Sequence, residues 1–242
     1  MTRHYTWKPD LPDHRDHLFA SLNATVPLPD HVDLRTACPP VVDQGQLGSC
    51  TANALAGAMG YLHAGAAAFS RLFIYYNERA IEGTIKSDAG AMIRDGIKTL
   101  AAAGVCQETV WPYNIAKFKN KPVAAAFKVA LADRITGYQR LNTLDDMLQC
   151  LAAGRPFVFG FTVYTAFESA AVAQTGVLNM PAHGEKVLGG HAVMAVGYDQ
   201  AARRFIVRNS WGTGWGQAGY FTIPFDYLTN RNLSDDFWTI IK

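Results

Sequence analysis

From Thr51 onward the chain places Leu55, Met59 and Leu62 at intervals of four and three, the spacing of a helix with one apolar face. The same period predicts helices over about 70–82 and about 91–103, the latter closed by Gly104, and a further one over about 143–153. Ala52 to Phe69 is rich in small apolar residues but carries Asn53 and His63, so it reads as a packed helix and not a membrane span. In the second half the period shortens. Pro156–Tyr164, His191–Tyr198, Arg204–Asn209 and Gly219–Ile223 are short β-branched and aromatic runs, with Asp199–Arg203 as a hairpin loop between two of them. Phe157, Phe159 and Phe161 alternate and so form one buried strand face. Residues 1–40 fit neither period: Pro9, Pro12, Pro27, Pro29, Pro39 and Pro40 interrupt regular elements and predict an extended arm. The expected order is an extension over 1–31, a mainly helical lobe over 32–130 and a mainly β lobe over 131–242.

Composition narrows the class without reaching the chemistry. The 242 residues correspond to about 1.6 average domains. Apolar residues at 49% and charged residues at 17% exclude a disordered chain. The formal net charge of +2 gives no field directed at nucleic acid or at a membrane surface, so neither partner is expected. The N-terminus lacks the apolar core of a secretory signal, which predicts a soluble protein, cytoplasmic or exported by another route. Four cysteines are too few for a disulfide scaffold; Cys38 and Cys106 are the candidate pair, and Cys150 lies in an apolar helix as a structural thiol.

Cys50 has the distinctive setting. It ends the glycine-rich loop Asp43-Gln-Gly-Gln-Leu-Gly-Ser-Cys50 and begins a helix, where unpaired amides and the helix dipole favour a thiolate. A thiolate nucleophile needs a proton acceptor. Among seven histidines only His191 stands at a strand start, with two glycines before it. Asn209 follows the next strand, where its amide oxygen would accept a hydrogen bond from Nδ1 of the imidazole and fix the tautomer, with Trp211 shielding that bond. Gln44, six residues before Cys50, would supply a side-chain N–H beside the Cys50 backbone N–H as an oxyanion hole.

Other motifs carry less. Gly214-Trp-Gly-Gln-Ala-Gly219 matches a dinucleotide fingerprint but leads into a strand and not a helix, so no cofactor is inferred from it. His14 and His17 sit in a solvated Pro/Asp-rich stretch and do not constitute a metal pair, so no metal is expected.

The segments Gln44–Cys50, Trp111-Pro-Tyr113, Gly190–Tyr198 and Asn209–Gly216 with Gly219-Tyr-Phe221 together resemble the papain family of cysteine peptidases, in the family's order of Gln, Cys, His and Asn. The resemblance covers about residues 32–223. It implies an α+β, two-lobed fold, a helical lobe and an antiparallel β-barrel-like lobe with the cleft between them. It implies Cys50 as nucleophile, His191 as base and later acid, Asn209 as its orienting partner and Gln44 as oxyanion donor. Ala89-Gly-Ala-Met92 resembles the family's substrate-pairing segment, so Gly90 would pair its backbone with substrate. Ala91, Met92, Gly160, Gly189 and Ala192 would line the pocket for the side chain two residues before the scissile bond, and Gly190, Trp211 and Trp215 complete the binding set. That pocket is apolar and roomy, which predicts a bulky hydrophobic preference. The stretch between Cys50 and Trp111 is too short for a cleft-blocking loop, favouring an endopeptidase acting as a monomer on peptide or protein substrates. An acyl-transferase using the same acyl-enzyme, or an inactive binding module, are the alternatives.

Two departures mark a divergent, bacterial-looking branch. Leu47 stands where the family usually has a cysteine, and Thr51 where it usually has a tryptophan. Only about 30 residues precede the mature-like start at Val32, too few for a long helical propeptide. The arm is expected to lie across or beside the cleft and restrict access.

Overall fold

The computed structural model describes residues 3–20 and 25–242. Residues 1–2 and 21–24 of the expected extension lie outside the described residues. In chain order the elements are β1 (His31–Asp33), α1 (Cys50–Leu62), α2 (Arg71–Ile81), α3 (Ile93–Ala102), α4 (Ala124–Ala130), β2 (Gly137–Arg140), α5 (Leu144–Ala152), β3 (Phe157–Tyr164), α6 (Ala170–Thr175), β4 (Val187–Asp199), β5 (Arg204–Arg208), β6 (Tyr220–Pro224), α7 (Phe225–Thr229) and β7 (Ser234–Ile241). Helices dominate the first half and an antiparallel sheet the second, as the change of period predicts. The strand order is β2-β7-β3-β4-β5-β6, with β1 paired to β4.

Local chemistry sets several boundaries. Ser70 caps α2 by accepting the Phe73 amide at 3.1 Å. Thr143 and Asp146 form a reciprocal capping box at the start of α5. The periodicity of α1 predicts a single apolar face, but every residue from Cys50 to Gly60 is buried. Alanines and glycines at 52, 54, 56, 57, 58 and 60 keep the helix thin enough to be enclosed on all sides. At Gly57 even a methyl group would crowd the Arg208 side chain. The central position of α1 holds Cys50 at the junction of two apolar clusters. One joins α1, α2 and α3 to the near face of the sheet. The other gathers Phe157, Phe159, Phe161, Phe205, Phe221 and Phe237 behind it.

Strand alternation sorts the two faces. Gly160 lies opposite Ala192 and Val158 opposite Met194, while Phe161 lies opposite His191. Val158, Ala192 and Met194 pack with the helices, and Phe161 belongs to the aromatic cluster. The short β2 and the C-terminal β7 escaped the sequence pattern because Gly137-Tyr-Gln-Arg140 and Ser234-Asp-Asp236 begin with polar residues.

All four cysteines are free. This corrects the expected Cys38–Cys106 pair: Cys106 is buried, while Cys38 points at the Leu34 carbonyl at 3.6 Å. Where the family's extra cysteine would stand, Leu47 is buried and fills the space with hydrocarbon. Among the described residues no helix is long and apolar enough to cross a membrane.

Candidate active site

Cys50 is the first residue of α1, with Ser49 before it as N-cap. The loop that delivers it is fixed by hydrogen bonds. The Gly48 amide donates to both oxygens of Asp88, at 3.1 and 3.0 Å. Ser49 Oγ meets Tyr113 Oη at 2.5 Å, and Tyr113 Oη donates to the Gln44 carbonyl at 2.9 Å. The Trp-Pro-Tyr segment therefore serves to brace the nucleophile loop. Thr51, in place of the family's tryptophan, sends its hydroxyl to Glu78 Oε1 at 2.6 Å. Glu78 is fully buried, and burial holds its carboxyl well above the usual carboxylate range.

The Cys50 thiol faces the backbone amides of Ala192, Thr51 and Thr6. Burial pushes it up to about 11, against the pull of those amides and with the added repulsion of Glu78. His191 is the residue before Ala192 and is equally buried. Burial lowers the imidazole to about 4, against the hydrogen bond to Asn209 that favours its charged form. Both groups are thus held neutral in this state of the protein.

Asn209 Oδ1 lies 2.9 Å from His191 Nε2 and also accepts the Ser210 amide at 2.8 Å. The contact expected at Nδ1 is made instead at Nε2. Nδ1 is buried and has no hydrogen-bond partner. Trp211 stacks on the imidazole, with centroids 5.2 Å apart and planes 28° apart, and so covers the His–Asn bond. Trp215 packs edge-on behind Trp211 at 5.0 Å. Its indole therefore supports Trp211.

Gln44 is buried, with its amide fixed at both ends. Oε1 accepts the Ser210 hydroxyl at 2.6 Å, and Nε2 donates to the Leu47 carbonyl at 3.0 Å. An amide nitrogen carries two hydrogens, so one donor remains for another acceptor. Ser210 thus aligns both Asn209 and Gln44, a role that its own sequence setting did not reveal.

The N-terminal arm runs through this site. The Trp7 amide donates to the Gly190 carbonyl at 3.0 Å and the Lys8 amide to the Ala91 carbonyl at 3.2 Å. Thr6 Oγ1 donates to the Gly48 carbonyl at 2.8 Å. A side chain on Gly90 would collide with Thr6, on Gly189 with Tyr5, and on Gly160 or Gly190 with Trp7. These glycines leave a track that the arm fills, and Gly90 is itself in the left-handed region at φ 66°. The Trp7 indole lies against Gly160 and Gly190, two glycines of the expected binding set, and its Nε1 donates to Asp236 Oδ2 at 3.2 Å, while Lys8 pairs with Met92. Arg3 stacks over Trp211 at 4.1 Å, and Tyr5 meets His191 edge-on at 6.2 Å. The pattern of residues gives no sign of the Trp7–Asp236 contact, since Trp7 stands in the Pro-rich arm and Asp236 follows Asp235 at the polar start of β7.

Among the described residues no group of three or more His, Cys, Asp or Glu side chains could hold a metal ion. The chemistry available is that of a thiol, an imidazole, two amides and backbone N–H groups.

The family model described as papain family cysteine protease matches residues 28–230. A peptidase C1-like protein of Acanthamoeba polyphaga mimivirus is 45% identical over 213 residues, covering 82% of this chain and 68% of its own. Cathepsin B-like CP3 of Giardia intestinalis is 29% identical over 218 residues, covering 81% of this chain and 69% of its own. Among solved structures, xylellain, a cysteine protease from Xylella fastidiosa, superposes with a TM-score of 0.91 at 42% identity over 98% of this chain and 96% of its own. With the α+β two-lobed fold and the match over most of its length, the chain belongs to the papain family of cysteine peptidases.

Proposed function

We propose that the protein is an endopeptidase working through a Cys50–His191–Asn209 triad with Gln44 in the oxyanion hole, in the lobes 32–130 and 131–242. The observation that carries this reading is the 2.9 Å contact of Asn209 with His191 Nε2, which leaves Nδ1 as the nitrogen able to exchange a proton with the thiol. The Cys50 sulfur attacks the peptide carbonyl carbon as Nδ1 takes the thiol proton. The carbonyl oxygen becomes an oxyanion received by the Cys50 N–H and the free Nε2–H of Gln44. The C–N bond breaks as Nδ1 delivers its proton to the leaving amine, giving an acyl-enzyme. Water then attacks the thioester, losing a proton to Nδ1, and releases the acid with the thiol restored.

The pocket beside Gly160 prefers a bulky, mainly apolar side chain two residues before the scissile bond. Its occupation by Trp7 supports that preference. The seated arm keeps the enzyme latent, since Thr6 covers the thiol and Trp7 fills the pocket. The test is cleavage of a fluorogenic peptide by the full chain, by Trp7→Ala and by Cys50→Ala. Trp7→Ala raises kcat/KM several-fold and Cys50→Ala abolishes turnover. Cleavage that survives Cys50→Ala would overturn the assignment.

A further inference from the structure

Beyond the pocket that holds Trp7, the arm inserts two carboxylates into a donor cluster on the protein body. Asp10 Oδ2 accepts the indole N–H of Trp238 at 2.8 Å, and its Oδ1 accepts the Arg94 backbone N–H at 3.1 Å. Asp16 Oδ2 accepts Arg94 Nη2 at 2.6 Å and Arg140 Nη1 at 3.4 Å. Trp238 is fully buried and Arg94 is 5% exposed. The guanidinium groups of Arg94 and Arg140 each lie 5.4 Å from the Trp238 ring.

Release of the arm would withdraw both carboxylates together. The Trp238 indole N–H, the Arg94 backbone N–H and the Arg94 guanidinium would then lose these acceptors and be left to receive another. The charges that stay behind do not replace them. Arg140 remains with Asp235 at 3.0 Å and Asp236 at 3.2 Å, and Arg231 also holds Asp235 at 3.0 Å. Lys98 is matched by Asp95 at 3.7 Å. Arg94, Arg140 and Arg231 against Asp235 and Asp236 leave one positive charge, centred on Arg94, which is an anion site.

Its place relative to the nucleophile follows from the arm. Thr6 lies at the Cys50 thiol, Trp7 in the pocket, Lys8 on Ala91, and Asp10 in the donor cluster. At about 3.3 Å per extended residue, Asp10 lies roughly 13 Å along the track from Thr6. We propose that Arg94, with the Trp238 indole and Arg140, forms a carboxylate-binding subsite. It takes an Asp or Glu side chain about five residues before the scissile bond of a peptide substrate. This rests on the peptidase reading above and adds an acidic upstream residue to the substrate class.

The experiment uses the full chain carrying Trp7→Ala, Asp10→Ala and Asp16→Ala, which unseats the arm from the pocket and frees the cluster. Two fluorogenic peptides identical except for Glu or Gln five residues before the scissile bond are compared by kcat/KM. The Glu peptide is favoured by about tenfold, as for a charge-assisted hydrogen bond in a shielded site, and added salt reduces the ratio. Arg94→Gln in the same background brings the ratio to about one while the Gln peptide is still cleaved. Equal cleavage of the two peptides before Arg94 is changed would overturn the subsite. An equal fall for both peptides in Arg94→Gln, with the ratio kept, would overturn it too. Absence of any Cys50-dependent cleavage is a different result, which removes the peptidase reading and this inference with it.

Discussion

Asn209 holds His191 by Nε2, through Oδ1 at 2.9 Å, and so leaves the other ring nitrogen as the one to which proton transfer is assigned in the proposed mechanism. The same oxygen accepts the Ser210 amide, which prevents it from swinging away. Replacing Asn209 by Ala should leave the thiol in place but let the ring rotate. We expect kcat/KM to fall by about 10²-fold, the lower range for loss of an effective general base. Steady-state kinetics, with near-ultraviolet circular dichroism to confirm packing of Trp211, check this.

In the proposed mechanism Gln44→Ala removes a donor that serves the tetrahedral oxyanion more than the substrate carbonyl. A fall of about 10²-fold in kcat with KM changed little is expected. A KM rise at constant kcat would instead assign Gln44 to ground-state binding.

The seated arm should silence the thiol as well as block access. With Cys50 pushed up to about 11 by burial, roughly one molecule in 10⁴ carries a thiolate at pH 7. Iodoacetamide should therefore label Cys50 very slowly in the full chain at neutral pH, accelerating only in alkali. Loosening the arm by Trp7→Ala re-admits water, lowers the thiol and raises His191, so labelling at pH 6–7 increases by more than tenfold. Mass spectrometry of the Cys50 peptide separates this from labelling of the half-buried Cys38.

His191 also links stability to acid. Its native value of about 4 lies below its ordinary 6.5, so the unfolded chain takes up a proton first as pH falls. The contribution is intact above pH 6.5 and is lost progressively down to about pH 4, up to about 3 kcal/mol at 1.36 kcal/mol per unit. Urea midpoints between pH 7 and pH 4.5 should fall more steeply for the natural chain than for His191→Gln. Parallel pH dependences would show that His191 is not buried in neutral form.

The legible parts were those in which chemistry sits in contiguous residues. The Gln44–Cys50 loop, the strand led by His191 and the Asn209–Gly216 run each carry a local requirement for glycine, amide or aromatic residues. The apolar period located α1, α2, α3, α5 and β3 to within a few residues. β2 and β7 were not found, because polar residues that pair across the two strands, Arg140 with Asp235 and Asp236, interrupt the alternation that marks a strand.

By itself the sequence determined the fold class and the family, and it singled out Cys50, His191, Asn209 and Gln44 as the candidate site, since residue type and order suffice for those. Tertiary structure alone decided which imidazole nitrogen Asn209 holds, that Trp215 backs Trp211, and that Glu78 lies beneath Thr51. It also decided where the arm goes: Trp7 against Gly160, and Asp10 against Trp238, some 228 positions away. Such contacts depend on packing between segments distant in the chain, and no local pattern of residues encodes the partner of a hydrogen bond made across a cleft.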